Sequence, residues 1–168
     1  MATQTKSGQR IFTANNGVTI PLKPVSLLLG DDIAASIGRP EQPKITVDGL
    51  DGPHEMIDMS EAAQKAYNIE LEKFQAEVNT LYLETVIEFG CDIEFGEKEQ
   101  ALVDAYRAKL AKIGKKGITI QSTNDIYVYV AYILIPDVNE ILRLNEAITN
   151  LNQATKDQLE KARSSFRS

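Results

Sequence analysis

The chain has 168 residues, of which 43% are apolar and 25% charged, and it carries a net charge of −6. That composition excludes a disordered chain and leaves room for one domain with a real core, or one domain plus a tail. A single cysteine, Cys91, excludes an internal disulfide, and the longest apolar run, residues 126–135, is too short to span a bilayer.

The charge is unevenly placed. Residues 1–40 carry +2, residues 41–104 carry −12 and residues 105–168 carry +4. The acidic middle repels nucleic acid and the last third is only mildly basic, so neither nucleic acid nor membrane is expected as a partner. Lys109, Lys112, Lys115 and Lys116 have no interleaved aromatics and read as a solvated helix end, cations near the negative end of the dipole. Docking of the basic third on the acidic third, within one chain or between copies, is the alternative.

Residues 1–9 are polar, show no signal-peptide pattern and are expected to be disordered. From Arg10 to Val25 the pattern predicts a β-hairpin. Ile11 and Thr13 lead into Asn15-Asn16-Gly17, and Val18 and Ile20 follow, with Asn-Gly suited to a tight turn. Pro21 and Pro24 limit the second strand to an edge or end it. A two-stranded hairpin is marginal alone, so it must lie on a helix or pair further.

Residues 25–37 predict a short helix with Leu27, Leu28, Ile33 and Ile37 on one face, interrupted by Gly30 and by Asp31 and Asp32. Neighbouring aspartates on a helix diverge by about 100°, so these two read as surface or capping groups. Residues 38–59, rich in proline and glycine, predict a loop with at most one short strand, 44–47. The loop holds the only histidine. His54, Glu55 and Asp58 do not make a zinc site without further convergent ligands, and no metal or cofactor is expected.

Residues 60–90 predict the long helix around which the chain is organised. Tyr67, Leu71, Phe74, Val78, Leu81, Thr85 and Phe89 recur at steps of four and three, a single stripe. Ser60 suits the N-cap, Asp58 and Glu61 offer a competing start, and Gly90 suits a left-handed stop. At about 1.5 Å per residue the helix spans roughly 45 Å. The short heptad rhythm with two aromatic core positions favours an ordinary packed helix, with a partner helix from another chain as the alternative.

Residues 91–95 alternate as a short strand or an ordered turn. Cys91 follows a helix C-terminus, where the dipole disfavours a thiolate, and reads as a buried structural cysteine. Residues 97–113 predict a helix with the stripe Leu102, Tyr106, Leu110 and Ile113. Gly114-Lys115-Lys116-Gly117 ends it; as a nucleic-acid clamp this four-residue pattern is very weak.

Residues 126–135 have strand propensity, but Ser122 and Asp125 resemble a capping box, and a buried helix is preferred. Asp137 and Glu140 mark the next helix start, with Ile141, Leu144, Ile148 and Leu151 as its stripe. Thr155 to Gln158 is a second capping pattern. A break is therefore expected near residues 152–154, before a final helix with a thin apolar face of Leu159, Ala162 and Phe166.

The expected fold is mainly α within the α+β class, an N-terminal hairpin followed by a helical bundle around one long helix. Residues 10–152 would form the domain and 153–168 a C-terminal helix that could be mobile or dock on a partner.

The opening Ile11-Phe12-Thr13-Ala14-Asn15-Asn16-Gly17-Val18-Thr19-Ile20-Pro21-Leu22-Lys23-Pro24-Val25-Ser26 resembles the start of small proteins from the tail-gene modules of long-tailed bacteriophages. The bridge Arg39-Pro40-Glu41-Gln42-Pro43, the close Gly90-Cys91-Asp92-Ile93, the stretch Leu151-Asn152-Gln153-Ala154-Thr155 and Phe166 extend the resemblance over most of the chain. It implies a non-enzymatic tail assembly protein or chaperone in the host cytoplasm. Such a protein would bind a tail component, the tape-measure or tube protein, before assembly. It implies no catalytic residue. Other phage tail proteins are then the expected partners, with a homo-oligomer possible. The expected partner-binding residues are Tyr67, Leu71, Phe74, Val78, Leu159 and Phe166. A structural subunit of a tail or head–tail junction is the alternative, and a small enzyme a third class.

Overall fold

The Asn-Gly turn forms where it is expected. Strand β2, Arg10–Thr13, pairs antiparallel with β3, Thr19–Leu22, with Phe12 opposite Ile20. Gly17 takes a φ of 84°, a conformation that costs a side-chain-bearing residue energy, and the Asn16 side chain accepts from the Val18 amide at 3.1 Å. Phe12, Ala14, Ile20 and Leu22 are buried while Thr13 and Thr19 are exposed. The hairpin is not alone: β1, Thr3–Gln4, pairs with the free side of β2. Residues 3 and 4 thus lie in a strand where disorder was expected, and the rest of residues 1–9 lie outside the described residues.

In this computed structural model the described residues are 3–4, 10–26, 28–113 and 122–165, with side chains left out for 3–4, 113 and 152–165. The chain divides into two compact units, one formed by Met1–Leu27 with Leu83–Ser168 and the other by Leu28–Tyr82. The fold class is as expected, mainly helical α+β with an N-terminal hairpin and one long helix, α2, at Glu61–Gly90.

In the first unit the hairpin finds its partner at the end of α2. The Lys23 amide donates to the Gly90 carbonyl at 2.9 Å and the Asp92 amide to the Pro21 carbonyl at 2.8 Å, around a single bridge between Leu22 and Cys91. The alternation over 91–95 yields only that bridge. Helix α3, Glu97–Ile113, begins at Gly96, whose amide donates to the Glu99 carboxylate at 3.0 Å. Its inward residue is Val103, fully buried, while Leu102 is 49% exposed. The expected stripe is off by one position there, because Leu102 and Val103 both fit the helical period and only packing chooses between them.

The apolar run 126–135 is helical as far as Leu134. Asn124 caps α4, Asp125–Val128, by accepting from the Tyr127 amide at 2.9 Å, and the Asn124 amide donates to Ser122 Oγ at 3.1 Å. The helix then widens into a π-helical turn, Tyr129–Leu134, closed where the Ile135 amide donates to the Val130 carbonyl five residues back. Asp137 begins α5, Val138–Ser165, accepting from the Asn139 amide at 2.9 Å. The helix is continuous, so the break expected near 152–154 is absent. Capping residues act where a chain enters a helix, and residues 138–165 contain no proline or glycine to make it leave one.

The core of this unit is Phe12, Ile20, Val86, Ile87, Val103, Val128, Val130, Ile135, Leu144 and Ile148. The residues of α2 that are buried are Val86, Ile87 and Gly90. The expected stripe positions Leu81 and Phe89 are exposed instead. Gly90 is not a left-handed stop. It lies where α2 meets α5, and a Cβ there would fall 2.4 Å from Ile148 Cγ2. Absence of a side chain, rather than freedom of φ, is what this position requires. Glu140 is 3% exposed and does not close a capping box: its carboxylate accepts from the Asn15 amide at 3.1 Å and the Asn15 side chain at 2.9 Å, and pairs with Arg143. A carboxylate expected to serve its own helix start instead ties the hairpin turn to α5.

In the second unit, α1 is Leu29–Ile37, and Gly30 lies within it rather than interrupting it. Ile33 is buried and Leu28 is exposed, while Leu27 lies outside the described residues. The expected loop over 38–59 is a second hairpin, β4 Lys44–Gly49 and β5 Gly52–Ile57, in full register from Lys44 opposite Ile57 to Gly49 opposite Gly52. Pro53 hid the second strand. It takes the position opposite Asp48 beside the turn, where its missing N–H is tolerated on an edge strand. Helix α2 then begins as predicted: Ser60 Oγ accepts from the Ala63 amide at 3.4 Å, and the Ser60 amide donates to Asp58 at 2.9 Å.

Candidate binding surface

The unit Leu28–Tyr82 sets α1 antiparallel to the adjoining part of α2. A Cβ on Gly30 would meet the Tyr82 ring at 3.7 Å, while Ala34, Ala35, Gly38 and Arg39 share a hollow with Leu71, Phe74 and Gln75. The hollow measures about 450 Å³. Ala34, Ala35 and Gly38 leave it open because they carry little or no side chain, so Leu71 and Phe74 stay only half-buried. The lining offers apolar contact, one carboxamide and one guanidinium.

Of the expected partner-binding residues, Leu71 and Phe74 are brought together in this hollow. Tyr67 and Val78 are half-buried on the same helix without lining it. Leu159 lies on α5 with its side chain outside the described residues, and Phe166 lies outside them altogether. Sequence reasoning missed Ala34, Ala35 and Gly38. Their signal was present: Ala34 and Ala35 lie four and three positions before Gly38, the spacing that lines one side of a helix, and small residues there permit close approach.

The other candidate groups are placed as follows. Asp31 and Asp32 are exposed in the first turn of α1. His54 pairs with Val47 across the hairpin and Glu55 with Thr46, so these neighbours point to opposite faces and do not converge. Among the described residues, no group of three or more His, Cys, Asp or Glu side chains could hold a metal ion. Cys91 is buried, and burial pushes its thiol up to about 12, opposed only in part by the Lys23 charge. The Tyr127 hydroxyl is likewise raised, by burial first and then by Tyr132 and the Glu84 carboxylate. Tyr127 stands edge-on to Tyr132 at 6.3 Å and Phe95 edge-on to Tyr129 at 5.8 Å. The Gly114 to Gly117 pattern lies outside the described residues. No helix is long and apolar enough to cross a membrane among the described residues.

Comparison of the chain with protein-family models, with curated proteins and with solved structures finds no match.

Proposed function

We propose that this chain is a non-enzymatic assembly protein of a long-tailed phage, one that holds a tail component, the tape-measure or tube protein, in the host cytoplasm before the tail is built. The resemblance of residues 11–26 and 90–93 to proteins of tail-gene modules supports the phage part. The binding part is carried by one observation, the open hollow at Leu71 and Phe74. A chaperone must hold an apolar segment and later release it. A shallow, half-buried apolar surface on an acidic unit suits that, since it remains compatible with water when empty.

The test is recovery of tail proteins with tagged full-length protein from phage-producing cells, with mass spectrometry of the partners and of purified virions. Wild-type protein is expected to recover a tail protein and to be missing from virions. Leu71→Asp with Phe74→Asp is expected to lose that recovery while the circular dichroism stays unchanged. Retained recovery in this variant would remove the hollow as the binding surface, and unfolding would show that the stripe is core. Presence in virions at fixed copy number would make the protein a structural subunit of the tail.

A further inference from the structure

The turn of the first hairpin carries the pair Asn16-Gly17, and both residues are exposed to water. An asparagine side chain followed by glycine is open to attack by the next backbone nitrogen, because glycine has no Cβ to obstruct the approach. In that reaction the Gly17 nitrogen gives its proton to solvent and bonds to Asn16 Cγ. The bond from Cγ to Nδ2 breaks, and Nδ2 leaves as ammonia, which closes a cyclic imide. Water then opens the ring. Cleavage between Cγ and the Gly17 nitrogen gives aspartate. Cleavage between the Asn16 carbonyl carbon and that nitrogen gives isoaspartate, with the backbone rerouted through the side chain. Amide and water become carboxyl and ammonia, and no electrons change hands.

In the folded chain every reacting group is already engaged. The leaving group, Asn16 Nδ2, donates to the Leu134 carbonyl at 2.8 Å, and Asn16 Oδ1 accepts from the Val18 amide at 3.1 Å. The nucleophile, the Gly17 amide, donates to the Ala14 carbonyl at 3.0 Å. Ring closure needs the side chain to turn until Cγ meets the Gly17 nitrogen, which the bonds to Leu134 and Val18 oppose. Asn15 next to it is tied down through Glu140, which is 3% exposed. The reaction therefore waits on local release of the turn from Leu134 and Glu140, and the population of the released state sets its rate. The product fits less well. Aspartate offers only acceptors where Nδ2 donated, so the Leu134 carbonyl would face a carboxylate. Isoaspartate adds a backbone carbon between β2 and β3, against the register that sets Phe12 opposite Ile20.

We propose that Asn16 is a self-modification site, closed while the hairpin turn is docked on Leu134 and Glu140 and open to deamidation when the turn is released, and that the modified turn no longer docks as before. Release of the turn would then be recorded irreversibly in the covalent structure. The site shares no residue with the Leu71 and Phe74 hollow and does not depend on it.

The test is peptide mapping by mass spectrometry of the full chain, aged in mildly alkaline buffer with and without denaturing urea, with aspartate and isoaspartate quantified at each asparagine. In urea Asn16 is expected to convert faster than Asn15, whose following residue carries a side chain. In the native chain conversion of Asn16 is expected to be at least about tenfold slower than in urea. Glu140→Ala, which frees Asn15, is expected to speed native conversion of Asn16 several-fold. Ile148→Ala, which removes core contacts at Gly90 instead, is expected to speed it less, so the excess reports local release rather than general loss of stability. Glu140→Gln keeps one acceptor oxygen and should act in the same direction more weakly, which preserves the comparison if Glu140→Ala does not fold. Asn16→Asp, the product made in advance, is expected to lower the urea midpoint. A native rate equal to the rate in urea, equal acceleration by the Glu140 and Ile148 variants, or an unchanged midpoint for Asn16→Asp would overturn the proposal.

Discussion

Gly90→Ala tests the packing of the first unit at its closest point. The added Cβ would lie 2.4 Å from Ile148 Cγ2, 2.7 Å from Cδ1 and 3.0 Å from Cγ1, about 1 Å inside ordinary carbon contact for the nearest. Ile148 is fully buried, and a β-branched side chain in a helix is held near one χ1 rotamer, so it cannot swing aside. Overpacking of this kind costs typically about 1–3 kcal/mol. Replacing a helical glycine by alanine returns at most about 1 kcal/mol, and less at a helix end. The net expectation is a loss of roughly 1–2 kcal/mol, or a melting temperature lower by about 2–8 °C. Urea unfolding followed by far-ultraviolet circular dichroism measures it. Ile148→Ala alone is expected to cost about 2–5 kcal/mol. In the Gly90→Ala background it should cost less, because the clash goes with it, and the double-mutant cycle should show coupling of roughly 1–2 kcal/mol. An unchanged or raised midpoint for Gly90→Ala would refute the close-approach account.

Gly30→Ala is the counterpart: its Cβ would meet only the Tyr82 ring, at 3.7 Å, so the change should be neutral or stabilising by up to about 1 kcal/mol in the same assay. Glu140→Ala removes the acceptor for Asn15 and the partner of Arg143, and should cost about 2–3 kcal/mol, with Glu140→Gln costing less; equal midpoints for the wild type and Glu140→Ala would show that the turn is held otherwise. Cys91 should resist a thiol reagent at pH 8 in the native protein and react once per chain in denaturant. Its folded value lies above the unfolded one, so the unfolded chain gives up this proton first as pH rises. Between about pH 9 and 12 stability should therefore fall relative to Cys91→Ala, by up to about 1.4 kcal/mol per pH unit, and be flat below that range.

The first hairpin, the limits of α2 and α3, and the Asp137 start of α5 were legible in the sequence. Each depends on local chemistry that neighbours along the chain supply: Asn16-Gly17 for a turn, Ser60 and Asp137 for caps. The helical state of 126–135 was legible only as a preference, because its β-branched and tyrosine content favours a strand and the helix is decided by the Asn124 cap and by burial of Val128 and Val130. Of the candidate surface only Leu71 and Phe74 were legible, by their spacing; the small residues of α1 that open the hollow have meaning only once α1 lies against α2. Periodicity names a helix face to within about one position, so choosing Val103 over Leu102, or Val86 and Ile87 over Phe89, requires the partner helices. The second hairpin escaped for the same kind of reason. Pro53 forbids a central strand but not an edge, and whether a strand is an edge is a property of the sheet, not of the residue. Sequence determined by itself what each segment can form alone. The tertiary structure decided which side each segment turns inward, and why Gly90 must be glycine, because those depend on atoms brought together from distant parts of the chain.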